Sequence, residues 1–238
     1  MRKFFLATSI AVIALSSCKE DTTEYYVEPD NIATQNSYDD QAIEKFLSNH
    51  YLDDLGNLTS FSDTDSTDDN YTSLKNMNPI RLSSGVIVIK RDNAQPNPGT
   101  DIGSTDIIHF MTKAKGYLAY EMDGNVNFYS TPYTLDDTLD GSGVPVIDPT
   151  YYYTPQSTLD ANPGKTRSYW EIEGLREGLQ YFKAYDQSDS EPYNLQGVII
   201  VPSRAAFARD DHYNYGGNNW RNRTIVFNFQ VYKSVPRP

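Results

Sequence analysis

Apolar and polar positions alternate most cleanly near the C-terminus. Ile225, Phe227, Phe229 and Val231 interleave with Val226, Asn228, Gln230 and Tyr232. A period of two puts one apolar row on one face of a β-strand. Residues 85–90, 106–112, 116–122 and 197–201 read as further strands, the last stopped by Pro202, and Asp123-Gly124 is a turn signal between strands. Two stretches carry the helical period instead. Ile43, Phe46, Leu47, His50 and Tyr51 fall at i, i+3, i+4, i+7 and i+8 and predict a helix over 39–56, with Asp39 and Asp40 at its start and Gly56 at its end. Its apolar face suits docking on its own domain, or on a partner. Leu175, Leu179 and Phe182 predict a short second helix. Strands, one short helix and strands again predict an α+β domain over 84–238, an antiparallel sheet wrapped on that helix. Residues 18–38 lack periodicity and read as a tether, 57–83 as a linker. Residues 131–168, rich in Pro, Asp, Gly and Tyr, read as a long insertion forming a surface lobe.

The first residues read as a processing signal rather than structure. Arg2 and Lys3 precede a short apolar run over 4–15, and Leu15-Ser16-Ser17 lead into the only cysteine, Cys18. This resembles a bacterial lipobox, in which the cysteine is diacylated and becomes the mature N-terminus after removal of residues 1–17. The resemblance implies a membrane anchor through acyl chains. An ordinary secretory signal is the plainer alternative. Lys19-Glu20-Asp21 resembles the export signal that carries Bacteroidetes lipoproteins through the outer membrane to the cell surface; a solvated acidic tether is its alternative.

Composition narrows the chemistry. The 238 residues carry a formal charge of −12, which becomes −14 without Arg2 and Lys3. An acidic chain lacks the basic footprint of a nucleic-acid binder. One cysteine rules out an internal disulfide framework and a multi-cysteine zinc site, and three histidines give little room for metallohydrolase chemistry. The acidic run over 62–70 misses the EF-hand spacing and reads as a solvated linker. There is no Gly-x-Ser-x-Gly nucleophile elbow, and Gly141-Ser142-Gly143 lacks the context of a phosphate cradle. Glu171, Glu173 and Glu177 could pair as glycosidase carboxylates; solvated positions at a helix start are the simpler reading. Tyr151-Tyr152-Tyr153 could stack on sugar rings, or pack their loop against the domain. No metal and no cofactor is expected.

Three segments carry a family resemblance. Residues 171–179, Glu-Ile-Glu-Gly-Leu-Arg-Glu-Gly-Leu, look like the Val-Ile-x-Gly-Trp-x-Glu-Gly-Leu segment of FKBP-type peptidyl-prolyl isomerases. Residues 200–208 resemble that family's Ile-Pro-x-x-x-Ala-Tyr-Gly segment, and 224–229 its closing Thr-Leu-Val-Phe-x-Val strand. Asp123-Gly124 with Phe128-Tyr129-Ser130 is a looser match to its Asp-Gly-x-x-Phe-Asp-Ser. The resemblance implies a twisted antiparallel sheet curled around one short helix, with an aromatic cup between them. The reaction needs no nucleophile or metal. Its barrier of ~18–20 kcal/mol comes from amide resonance, and a desolvating site that favours the twisted amide lowers it.

The implied cup residues are Tyr117, Phe128, Tyr129, Glu171, Ile172, Leu175, Phe207 and Phe227. Ile172 takes the place whose backbone N–H binds a substrate carbonyl, Leu175 stands at the usual Trp floor, and Phe207 at a hydrogen-bonding Tyr. Tyr129 replaces an Asp of the wall, and Trp220 sits in a possible substrate loop over the cup. If Lys115-Gly116 is the family's x-Gly, Ala114 rather than Tyr117 faces the cup and an aromatic is lost. The expectation is a prolyl isomerase with a degenerate site, anchored to the outer membrane and acting on Xaa-Pro segments of exported proteins. The helix-plus-tether preface resembles FKBP-type lipoproteins linked to gliding or type 9 secretion. A binding or chaperone subunit of such a machine is the second expectation, a surface glycan-binding lipoprotein the third.

Overall fold

The computed structural model describes residues 26–238. The leader, Cys18 and residues 18–25 of the expected tether lie outside the described residues. The chain begins with α1 (Ile32–Asn49), then β1 (His50–Leu52), β2 (Leu58–Ser60), β3 (Ile80–Arg81), β4 (Ile87–Lys90) and β5 (Thr100–Asp101). It continues through β6 (Ile107–Met122), β7 (Asn125–Phe128), β8 (Tyr133–Asp137), β9 (Val146–Ile147), α2 (Gln156–Ala161) and α3 (Glu173–Leu179). It ends with β10 (Lys183–Ala184), β11 (Gly197–Val201) and β12 (Arg223–Val235). This is an α+β architecture. The main sheet is antiparallel, in the order β3-β4-β11-β12-β6-β7. β8 and β9 share the outer side of β6 with β7.

The sheet buries both faces. On one, Val88, Ile199, Ile225, Phe227 and Phe229 pack on Leu175 and Leu179 of α3. Gly174 and Gly178 let α3 lie flat on the strands: a Cβ at either would meet Val201 at 2.5 Å or Ile199 at 2.8 Å. On the other face, Ile43, Phe46 and Leu47 of α1 pack on Ile87, Ile89, Val198, Ile200 and Val226. That second cover explains why the polar row of β12 is also buried. Asn228 donates to the carbonyls of Gly56 and Gly197 at 2.9 and 3.2 Å and accepts the N–H of Leu58 at 3.0 Å. Gln230 accepts the N–H of Asn194 at 2.6 Å. Asn228 and Gln230 thus replace their lost water contacts.

Several boundaries differ from the sequence pattern. Helix α1 starts at Ile32, inside the expected tether, because Asn31 caps it: its Oδ1 accepts the N–H of Ala33 at 2.8 Å. The helix stops at Asn49, since His50–Leu52 pair with Leu58–Ser60. Tyr51 therefore leaves the helical face and stacks on Tyr71 at 4.6 Å. The expected linker contributes β2, paired with β1 in a small separate sheet, and β3, the edge of the main sheet. The two strands expected over 106–122 are one strand, β6 (Ile107–Met122). Lys113 and Lys115 within it lie half-buried on the α1 side of the sheet, opposite Asn228 and Val226, and Lys113 pairs with Asp137 and Asp140.

The position expected to start α1 is instead buried in its middle. Asp39 has no exposed surface. Its carboxylate accepts the N–H of Ser203 at 2.9 Å and the amide of Gln35 at 3.1 Å, and Gln35 also donates to the carbonyl of Ala119. Burial, outweighing these hydrogen bonds, pushes the carboxyl up to about 6. A folded-state value above the unfolded one means that the native state holds the proton more tightly. The contribution of Asp39 is therefore fully favourable below about pH 4 and is lost as pH rises through 6, a change of roughly 3 kcal/mol. Compared with Asp39→Asn, the wild-type protein should gain stability as pH falls from 7 to 4. Denaturant unfolding of both proteins across that range checks it; a constant difference would contradict it.

Candidate functional site

The N-terminal end of α3 gathers four of the expected cup residues together with Trp220, expected in a loop over the cup. Ile172, Leu175, Phe207, Trp220 and Phe227 belong to one cluster, and all are buried. Ile172 precedes the first turn of α3, Phe207 follows a short turn after β11, and Phe227 points inward from β12 opposite Ala114. The register makes Ala114, not Tyr117, the inward residue of β6.

Tyr117 and Phe128 lie on the opposite face of the sheet. Their rings pack on Phe46 of α1 at 5.4 and 5.9 Å and on each other at 5.2 Å. Burial there pushes the Tyr117 hydroxyl up to about 12. They cannot line a cup beside Phe227, because neighbouring strand positions point to opposite faces. Tyr129 is exposed at the end of β7 and sets its edge against Tyr120 at 5.6 Å. The inward carboxylate on this side of the cup is Asp136, opposite Ala114 on β8.

The cup is filled from within. The insertion, expected as a surface lobe, sends Tyr151 and Tyr152 into the core. The Tyr151 ring lies 6.0 Å from both Phe227 and Tyr215. Its hydroxyl donates to Asp136 at 2.7 Å, and burial raises the carboxyl of Asp136 above its usual range. The Tyr151 carbonyl accepts the N–H of Ile172 at 2.7 Å. This is the N–H that the resemblance assigns to a substrate carbonyl. The Tyr151 carbonyl and ring thus occupy the donor and the aromatic surface that the resemblance assigns to a prolyl segment. The tyrosine run packs its own loop, and with Tyr151 and Tyr152 buried it offers no open sugar platform.

Glu171 fastens this arrangement. Its side chain is 2% exposed and accepts from Arg167 at 3.0 Å, Arg176 at 2.7 Å and the N–H of Thr154 at 2.8 Å. Arg167 also donates to the carbonyl of Thr154. The solvated role expected for Glu171 is thus replaced by a buried bridge between α3 and the insertion. Glu173 is exposed, and Glu177 accepts from Ser84 at 2.5 Å.

Trp220 is fully buried and forms the wall at the far end of the cluster. Its indole N–H donates to the Tyr215 carbonyl at 3.0 Å, and its backbone N–H to Nε2 of His212 at 2.9 Å. His212 Nδ1 in turn contacts the Asp210 carbonyl at 2.7 Å, which sets its tautomer. Sequence reasoning missed Tyr151 as an occupant, and Tyr215 and Asp136 altogether. The run at 151–153 was the visible signal, without its destination.

No protein-family model matches the chain, and no curated protein does. Among solved structures it is similar to FkpA from Escherichia coli, with a TM-score of 0.37 and 17% identity over 67% of this chain. The chain spans 53% of that protein's length. It is also similar to a peptidyl-prolyl cis-trans isomerase from Pseudomonas syringae pv. tomato, with a TM-score of 0.29 and 12% identity over 66% of this chain and 81% of that one. Likeness at this level leaves the activity to be read from the site itself.

Proposed function

We propose that this chain is an FKBP-like binding subunit, tethered to the outer membrane through acylated Cys18, whose prolyl cup is occupied by its own Tyr151. The observation that carries the reading is the 2.7 Å hydrogen bond from the Ile172 N–H to the Tyr151 carbonyl, with the tyrosine ring against Phe227. A site shaped to hold a twisted amide must be empty before substrate arrives. Here the donor is spent and the aromatic surface covered. The Glu171 bridge holds the occupying segment in place. What remains is a packed domain on a tether, suited to assembling with an envelope machine rather than to turnover. Cell-surface display follows from Lys19-Glu20-Asp21 under this reading.

The test is prolyl isomerisation of a short Xaa-Pro peptide series by the full chain, with Phe227→Ala alongside. The expected result is no acceleration over the uncatalysed rate by either protein. Catalysis by the wild-type chain, lost in a folded Phe227→Ala variant, would overturn this reading and establish an isomerase whose Tyr151 segment leaves the cup during turnover. Labelling with a fatty-acid analogue, lost in Cys18→Ser, tests the anchor separately.

A further inference from the structure

The apolar row of β12 ends in a charge. Arg223 is the next inward position after Phe227 and Ile225 and stands opposite Leu118 of β6. It is 8% exposed. Its guanidinium lies 3.5 Å from the ring centre of Tyr133. Nε donates to the Asn219 carbonyl at 3.2 Å, and one terminal nitrogen reaches the Gly116 carbonyl at 3.4 Å. Among the described residues no carboxylate pairs with it. Glu28, which borders the same space, is held by Arg221 at 2.6 and 2.9 Å and by Arg209 at 3.5 Å. A cation withdrawn from water without a counter-charge is costly. Arg91 is buried to the same degree without a carboxylate, but its guanidinium donates to three oxygens, from Leu195, Asp54 and Asn194.

Arg223 borders a cavity of about 620 Å³. Its other walls include Leu118 and the rings of Tyr26, Tyr129 and Tyr133. The cavity lies on the same sheet face as the filled cup, but Trp220 divides the two. Along β6, Ala114 lies under the cup, Gly116 under Trp220 and Leu118 at the cavity. A Cβ on Gly116 would meet the Trp220 ring at 2.5 Å, so that wall is tight.

We propose that this cavity binds an organic carboxylate, with the charge on Arg223 and a ring or apolar body against Leu118 and the tyrosines. A planar guanidinium suits a carboxylate. Glu28 at the rim is already balanced by Arg221 and Arg209, which leaves Arg223 as the lining cation without a carboxylate partner. The carboxylate comes either from a free small acid or from the C-terminal residue of a peptide chain. Burial holds the Arg223 guanidinium below its usual range, a penalty that a bound anion would relieve.

Calorimetric titration of the full chain tests this, using 3-phenylpropionate against its amide and the peptide Ala-Ala-Phe as free acid against its C-terminal amide. The expected result is binding of an acid with its amide at least tenfold weaker; whichever acid binds more tightly identifies the source. Arg223→Gln should lower that affinity at least tenfold, and Arg223→Lys should restore part of it. Tyr129→Ala, at an exposed wall residue, should weaken binding severalfold and serves if Arg223→Gln fails to fold. No binding of either acid, equal binding of acid and amide, or unchanged affinity in the folded Gln variant or in Tyr129→Ala would overturn the proposal.

Discussion

Trp220→Ala is expected to destabilise the protein by about 3–5 kcal/mol, the usual cost of removing a fully buried large aromatic. For a chain of this size that lowers the unfolding midpoint by roughly 6–20 °C. The indole has no exposed surface. It fills the space over Gly116, meets Tyr133 edge-on at 6.1 Å and supplies the donor to the Tyr215 carbonyl. The truncation therefore opens a void, leaves the Tyr215 carbonyl with only the Asn218 N–H as donor, and joins the cavity beside Arg223 to the core. Gly116→Ala attacks the same contact from the other side. Its Cβ would lie 2.5 Å from the indole ring, an overpacking that costs about 1–3 kcal/mol. Combined with Trp220→Ala, the added methyl has room, so the double variant should be more stable than the sum of the single effects implies. Denaturant midpoints for the three variants decide it. A loss below about 1 kcal/mol for Trp220→Ala would show that the tight wall is not a stability element.

Glu171→Ala should cost roughly 3 kcal/mol, the lower end for breaking a buried ion pair. The lower end applies because Arg167 and Arg176 are 35% and 25% exposed and can turn to water, whereas Glu171 is almost wholly enclosed. The variant also leaves the N–H of Thr154 without its acceptor. Its more telling consequence is local. The 151–154 segment loses its fastening, and the amide of Ile172, bonded to the Tyr151 carbonyl, should exchange with solvent much faster than the core amides of β11. Glu171→Gln keeps an acceptor for Thr154 but no ion pair, and should fall between. Hydrogen exchange read residue by residue separates the two effects. Uniform loss of protection would make Glu171 an ordinary core group, whereas selective loss around Ile172 would make it the latch of the occupied cup.

The local elements were largely legible. The run over 197–201 is the central strand β11, buried on both faces, which is why it is apolar throughout. Asp123 and Gly124 take positive φ, as a tight hairpin turn requires. The short helical spacing around Leu175 became α3. Face assignment was less legible. Asp39 reads as a helix-starting acid because a buried carboxylate is rare, and only Ser203 and Gln35 explain it. Tyr117 reads as a cup aromatic by counting back from a turn. A count fixes parity only when the register is known, and the pairing of Phe227 with Ala114 puts Tyr117 on the other side.

The amino-acid sequence by itself determined the strands, the short helix and the apolar row of β12, because these rest on periodicities between neighbours a few residues apart. It also determined that Ile172, Leu175, Phe207 and Phe227 would be apolar wherever they met. The tertiary structure alone decided that they meet around Tyr151, that α1 covers the opposite face, and that Arg223 reaches a cavity without a carboxylate partner. Those outcomes depend on distances between residues tens of positions apart. A hydrogen bond from Ile172 to Tyr151, or a ring seated on Phe227, leaves no periodic trace along the chain.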